Sequence, residues 1–277
     1  MSRPLVLHQV TVMDVSPADL VQLAAENGCD QVSIFTCSPQ TIMPGLESPL
    51  VFPTVTEDTK QDFLQRLRDR GVTVSGVEYF PILPDIDIGA YGAPLALGRE
   101  LGAERAVTHI HDQDGSRAVD RLGALCELAR SHGLSVGIEF TPLTRGCTTL
   151  QRAVWLVDQV GADNLRIGVD ALHLVRGGGT AQDVASVAPR YFANGQICDG
   201  HGLHVSSDYM SEVHDRELPG AGDFPLVEIF SALPADTPLE IEVPHERRAR
   251  TGVSASDHVA DTVRRSRALI AQLTPHR

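Results

Sequence analysis

Leu134-Ser-Val-Gly-Ile-Glu-Phe140 is a short apolar run, Thr148–Val160 is amphipathic, and Leu165-Arg-Ile-Gly-Val169 is a second short apolar run. Runs of this length read as strands buried on both faces, and the segment between them reads as a helix. Strand, helix and strand in succession imply a right-handed crossover between parallel strands. The same unit recurs upstream. Leu5–Val12 reads as a strand, followed by a helix that Ser16-Pro17 starts and Gly28 stops. Gln31–Phe35 and Thr56–Arg70 form the next strand and helix, then Val72–Tyr79 and Ala90–Leu101. Ala106–Ile110 precedes Ser116–His132, whose apolar positions Val119, Leu122, Leu125, Cys126 and Leu128 share a helical face. Downstream, Thr180–Ala188 is a helix and Tyr191–Cys198 a strand. Asp223–Leu233 is a helix, Leu239–Val243 a strand, and Ser256–Leu273 a closing helix. Eight units favour a closed α/β structure, a (β/α)8 TIM barrel, as one catalytic domain over residues 1–277. No glycine-rich dinucleotide fingerprint follows the first strand. The longest loops, Thr36–Thr54 and Asp199–Gly222, follow strands and so belong to the face where barrel enzymes keep their sites.

Composition narrows the function. The chain has 277 residues, 42% hydrophobic and 21% charged, which suits a large core. It carries 36 acidic and 23 basic residues, a net charge of -13, so the basic footprint of a nucleic-acid binder is missing. Lys60 is the sole lysine and lies in a polar stretch where solvation is expected, which argues against Schiff-base chemistry. The cysteines, Cys29, Cys37, Cys126, Cys147 and Cys198, are odd in number and form no Cys-x-x-Cys pair. Neither a disulfide framework nor a structural zinc site is expected. The N-terminus lacks the apolar core of a signal peptide, and no segment reaches the apolar length of a membrane span. A cytoplasmic, membrane-independent protein is the expectation, with assembly into homo-oligomers left open.

Four successive strand ends then supply oxygen ligands: Glu139 on the fifth, Asp170 on the sixth, Gln196 on the seventh and Glu242 on the eighth. In isolation each has a plainer reading: Glu139 an arginine partner, Asp170 a turn cap, Gln196 a backbone partner. Glu240 and Glu242 share a face by strand alternation, so one of them is expected in solvent. Together the four converge on one mouth, where carboxylates repel one another unless a cation intervenes. Oxygen-rich ligation suits Mg2+ or Mn2+, with Co2+ and Zn2+ as alternatives. His8, Gln9, Glu78, Tyr79, His109, His111 and Asp112 lie near strand ends of the first half, and His8 and His109 are the candidates there for substrate contact. If Gln196 is not a ligand, Asp199, His201 and His204 are the substitutes on that strand.

The runs Val-Gly-Ile-Glu139-Phe, Val-Asp170-Ala-Leu-His173-Leu-Val-Arg176-Gly, Gln196-Ile-Cys-Asp199, Arg216-Glu-Leu-Pro219-Gly220-Ala-Gly222-Asp223 and Glu-Ile-Glu242-Val resemble the xylose-isomerase-like sugar isomerase/epimerase superfamily. Its members include inosose isomerases, ketose 3-epimerases, hydroxypyruvate isomerases and 3-dehydroshikimate dehydratases. The likeness runs from about residue 134 to the end. It implies one divalent metal on Glu139, Asp170, Gln196 and Glu242, and substrate contacts from His173 and Arg216. Many members have histidine where Gln196 stands; the dehydroshikimate dehydratases resemble this chain in using glutamine.

The reaction expected is proton transfer beside a carbonyl of a small polyol or keto-sugar. A metal stabilises the enediolate while Glu139 and Glu242 act as base and acid. The same intermediate expels a β-hydroxyl, so dehydration of 3-dehydroshikimate or of a 3-keto sugar is the alternative. Phosphorylated substrates are disfavoured, because no glycine-rich loop with a basic residue follows strands seven and eight. Nuclease action is opposed by the charge balance. A non-catalytic barrel would hold no metal and would tolerate loss of either glutamate.

Overall fold

The computed structural model of the protein describes residues 3–37, 53–204, 206 and 208–274. Eight parallel strands close in chain order into a barrel. They are β1 (Leu5–His8), β2 (Gln31–Phe35), β3 (Thr73–Glu78), β4 (Arg105–Thr108), β5 (Ser135–Glu139), β6 (Leu165–Asp170), β7 (Phe192–Ile197) and β8 (Leu239–Ile241). The crossover helices are α1 (Pro17–Glu26), α2 (Lys60–Arg70), α3 (Gly92–Glu100), α4 (Gly115–Ser131) and α5 (Leu150–Val160). After β6 come two short helices, α6 (Ala171–Arg176) and α7 (Ala181–Ser186). The chain finishes with α8 (Tyr209–His214), α9 (Leu226–Ser231), α10 (Glu246–Arg250) and α11 (Ala255–Ile270). No described helix is long and apolar enough to cross a membrane. All five cysteines are buried and free.

Helix starts follow the local chemistry. The side chains of Ser16, Asp114, Thr149 and Ser254 each accept the backbone N–H three residues on. Thr180 and Asp183 form a reciprocal capping box. The first strand is shorter than its apolar run. His8 Nδ1 accepts the Val10 N–H and turns Gln9–Val12 into a 3-10 helix. Helix α2 starts at Lys60 rather than Thr56, because Thr56 and Thr59 close a turn on each other first. The short helices α6, α8 and α10 lie inside what periodicity reads as loops. Most of the expected Thr36–Thr54 loop, residues 38–52, lies outside the described residues. Lys60 is not simply solvated: its ammonium pairs with Glu57 and Glu100, each at 2.6 Å, and ties α2 to α3.

Barrel interiors are usually packed with branched apolar side chains. Here the layer beneath the mouth is polar. Arg105 pairs with Glu240, and Ser33 Oγ donates to the same carboxylate at 3.1 Å. A Cβ on Gly76 would meet the Arg105 guanidinium at 3.2 Å, and one on Gly137 would meet its Cδ at 3.0 Å. Those glycines thus make room for the arginine. Glu240 is fully buried and Glu242 only 5% exposed, so neither faces solvent, contrary to the expectation from alternation. Alternation put them on one face correctly, but that face is the closed interior.

Removing one member of such a pair leaves an uncompensated buried charge. Glu240→Gln should lower unfolding free energy by about 3–5 kcal/mol, and Arg105→Met with Glu240→Leu should recover much of it. Urea denaturation of the single and the double variant checks this; a fully stable Glu240→Gln protein would contradict it.

Candidate metal centre

The centre is assembled from strand register. Asp170 pairs with Gln196 across β6 and β7, and Gln196 with Glu240 across β7 and β8. Glu139 closes β5, and Glu242 stands one residue beyond β8. All four expected ligands are buried. The Gln196 Nε2 group donates to Glu242 Oε2 at 2.5 Å and to Glu139 Oε2 at 3.2 Å. Arg216, itself buried, donates Nη1 to Asp170 Oδ2 at 2.5 Å and Nη2 to Glu242 Oε1 at 2.8 Å. One amide and one guanidinium therefore knit three carboxylates into a single cluster.

Asp170 does two jobs at once. Its Oδ1 accepts the His173 backbone N–H at 2.9 Å and caps α6, while its Oδ2 faces Arg216. Turn cap and cluster member, two separate readings of the sequence, are both present. His173 turns back so that its Nε2 lies 3.0 Å from Glu139 Oε1, and His109 Nε2 lies 3.4 Å from Glu139 Oε2. Burial works against ionising Glu139, but His109 and His173 outweigh it and hold the carboxyl well below the usual range. Burial, with Glu139 and Asp170 close by, prevails over Arg216 and pushes Glu242 up to about 8. Two carboxyl groups on one cluster are thereby driven apart.

The donor set fits a hard divalent cation. Gln196 Oε1 is buried and has no hydrogen-bond partner. The two ends of an amide are interchangeable by a half-turn. Turned, the carbonyl would face the carboxylates of Glu139 and Glu242, which with Asp170 make an all-oxygen set suited to a hard cation. Ligand atoms of Glu139, Asp170 and His173 already lie within 4.8 Å of one another. A second such group, His8, Glu78 and Glu240, lies nearby, but there Arg105 already pairs with Glu240.

The remaining expectations divide. His8 reaches the centre: its Nε2 donates to Glu78 Oε1 at 2.8 Å, and its Nδ1 is 4.0 Å from Glu242. Arg216, expected to touch substrate, is committed to two of the acids. Tyr79 and His111 bond each other at 2.6 Å beside His109, and burial with His109 pushes His111 down to about 4. Gln9 braces Phe35 N and Pro53 O, and Asp112 is held by Arg117, so both are structural. Asp199 caps backbone N–H groups of Gly200, Gly220 and Phe224, and His201 and His204 are exposed, so none of the three substitutes for Gln196. Sequence reading missed Tyr209 and Thr141. The Tyr209 hydroxyl bonds His173 Nδ1 and lies 3.0 Å from Thr141 Oγ1. Tyr209 sits in a polar segment with no periodicity to mark it.

A family model described as xylose isomerase-like TIM barrel matches residues 21–270. No curated protein matches the sequence. Among solved structures, an IolI protein with a bound zinc atom is 16% identical with TM-score 0.80, each chain covered in full. D-psicose 3-epimerase is 14% identical with TM-score 0.73, covering 98% of this chain and 99% of that one. The probable 3-DHS dehydratase AsbF of Bacillus anthracis is 19% identical with TM-score 0.71, covering 95% and 98%. The chain spans 43% of a xylose isomerase-like TIM barrel/4-hydroxyphenylpyruvate dioxygenase fusion protein, at 20% identity and TM-score 0.78, with 97% of its own length covered.

The raised Glu242 carboxyl has a measurable consequence. In metal-free protein it keeps a proton at pH 7 that the unfolded chain, at its ordinary value of 4.5, has lost. Its contribution to stability should therefore fall as pH rises from 4.5 through about 8. A divalent cation entering the cluster must displace that proton. Calorimetric titration with Mg2+ in buffers of different ionisation enthalpy should show proton release at pH 7 that vanishes well above pH 8. Absence of proton release at pH 7 would contradict the geometry.

Proposed function

The chain belongs to the xylose isomerase-like TIM barrel family, and on that premise we propose that it is a divalent-metal-dependent isomerase or epimerase of an uncharged keto-sugar or keto-cyclitol. The observation that carries this reading is the buried cluster of Glu139, Asp170, Gln196 and Glu242, with an unpartnered amide oxygen in its midst. These four would hold the ion. A bound Mg2+ or Mn2+ supplies Lewis-acid polarisation of the substrate's carbonyl and adjacent hydroxyl.

The protein's own groups do the rest. Glu139 and Glu242 approach Gln196 from β5 and β8. A substrate carbon over Gln196 has one carboxyl group on either side. One removes the proton beside the carbonyl, and the other delivers a proton to the enediolate. Delivery to the neighbouring carbon isomerises; delivery to the opposite face of the same carbon epimerises. His173 and His109, both on Glu139, orient that carboxylate and meet the substrate's hydroxyls. His8 donates to Glu78 on the opposite side of the cluster.

Dehydration of a β-hydroxy ketone remains the second reading, since one enediolate serves both. The charge pattern favours the first reading over dehydration of a carboxylated substrate such as 3-dehydroshikimate. Among the described residues, the buried arginines Arg105, Arg176 and Arg216 are already paired with Glu240, Glu212 and the Asp170–Glu242 pair. A substrate carboxylate or phosphate finds no free buried cation there. Five buried free thiols fit a reducing cytoplasm.

Mg2+- or Mn2+-supplied protein should exchange the α-proton of a keto-sugar or keto-inositol with D2O. Glu139→Gln and Glu242→Gln should each cut that exchange by a factor of about 100 or more. Near-normal exchange in either variant would mean that residue is neither the acid nor the base, and no exchange by the metal-supplied wild type would leave a non-catalytic barrel. Gln196 also sets the metal. Gln196→His should shift preference toward Zn2+ or Co2+, read as the ratio of affinities by chelator competition. An unchanged ratio would place Gln196 outside the coordination shell.

A further inference from the structure

Helices α6 and α8 are short, yet two rungs clasp them. His173 and Arg176 lie three residues apart on α6, and Tyr209 and Glu212 lie three apart on α8, so each pair shares a face. His173 Nδ1 meets the Tyr209 hydroxyl, and Arg176 Nε meets Glu212 Oε2 at 2.5 Å. The Arg176 guanidinium does more. Nη1 donates to Gly202 O at 2.8 Å and His204 O at 3.0 Å, and Nη2 to His201 O at 2.8 Å. Its face lies 5.1 Å from the Phe224 ring centre. A side chain 2% exposed thus gathers one carboxylate and three carbonyls of the segment that follows β7.

The upper rung has a direction. Leu143 N–H donates to Thr141 Oγ1 at 3.2 Å, and a backbone amide can only donate. At the far end, the Glu139 carboxylate accepts from His173 Nε2 at 3.0 Å. For a neutral imidazole the acceptor-only Glu139 carboxylate sets the direction: His173 donates Nε2–H to Glu139, its Nδ1 accepts from the Tyr209 hydroxyl, and the Tyr209 oxygen accepts from Thr141. From this chain and the Arg176 clamp we infer that Tyr209 is a positioning residue that holds His173 in its Nε2–H tautomer, and that Arg176 holds Tyr209 in place through α8. His173 then presents a proton donor, never a lone pair, to Glu139 and to a substrate oxygen beside it. This rests on the proposed reaction for its catalytic consequence, but its structural content stands apart from it.

The test reads the ring nitrogens directly. Full-length protein labelled with 15N-histidine and supplied with Mg2+ is compared by long-range proton–nitrogen correlation, with His173→Gln identifying the resonances. His173 should carry its proton on Nε2, with Nδ1 bearing the signature of a hydrogen-bond acceptor. In Tyr209→Phe, Nδ1 should move toward an unbonded nitrogen or average with the other tautomer. Arg176→Lys should reproduce the change, because one ammonium cannot serve four acceptors. If that variant does not fold, Glu212→Gln, which removes one partner of the four, takes its place and should give a smaller shift in the same direction. A proton on Nδ1 in the wild type, or an unchanged His173 in Tyr209→Phe, overturns the proposal. An unchanged His173 in Arg176→Lys or Glu212→Gln overturns the clamp. Where a substrate is in hand, Tyr209→Phe should also lower turnover about 10–100-fold. A failure to find any substrate bears on the proposed reaction and leaves the nitrogen spectra to decide this inference.

Discussion

Negative charge inside a barrel is what the rest of this protein is arranged around. Glu78, Glu139, Asp170, Glu240 and Glu242 all point into the interior, none more than 5% exposed. An isolated buried carboxylate is costly, so each must find a cation or a strong donor. The answer has two storeys. Below, Arg105 neutralises Glu240, and Gly76 and Gly137 clear its path. Above, Arg216 spans Asp170 and Glu242, histidines cover Glu139 and Glu78, and Gln196 ties Glu139 to Glu242. The lower storey balances its charge, although Arg105 Nε and Glu240 Oε2 have no hydrogen-bond partner. The upper one still has a buried amide oxygen without a partner, which is where a divalent ion adds most.

The loops of the catalytic face are built to serve that storey. Arg216 arrives from the segment after β7, because Arg216 N bonds Pro244 O and Asp215 bridges to His245. The segment's other landmark, Asp199, is satisfied by the backbone amides of Gly200, Gly220 and Phe224, which draws the two ends of its loop together. A Cβ on Gly222 would collide with the Asp199 carboxylate at 2.4 Å, so that glycine is required for the fold of the loop. Arg176 then secures the same segment from α6. Asp170 links the two levels by capping α6 while facing Arg216, so the helix that carries His173 starts from a group in the centre itself.

In the proposed reaction the acids and the amide at the ends of β5 to β8 would deal with a carbonyl and its neighbouring proton, whatever else the substrate carries. Selection would then fall to the rim: Tyr79, His109 and His111 on one side, Tyr209 and Thr141 on the other. Polar but uncharged in the main, these groups match hydroxyls better than anionic substituents.

The sequence by itself determined the eight strand–helix units and the four residues at successive strand ends, because both are local properties. Strand length, capping residues and glycine stops act over a few positions, and the end of a parallel strand points to the mouth in any closed barrel. It did not show which acids meet which bases. Arg105 and Glu240 are 135 residues apart, Asp170 and Arg216 46, and His173 and Tyr209 36. Those pairings depend on barrel closure and on the path of loops that carry no periodic signal. Alternation placed Glu240 beside Glu242 but could not say that their shared face was enclosed. Helices α6, α8 and α10, at five or six residues each, are too short for a helical pattern to register. Only the closed barrel, by bringing distant side chains within hydrogen-bonding distance, decided that Arg216 neutralises Asp170 and Glu242 and that Tyr209 faces His173.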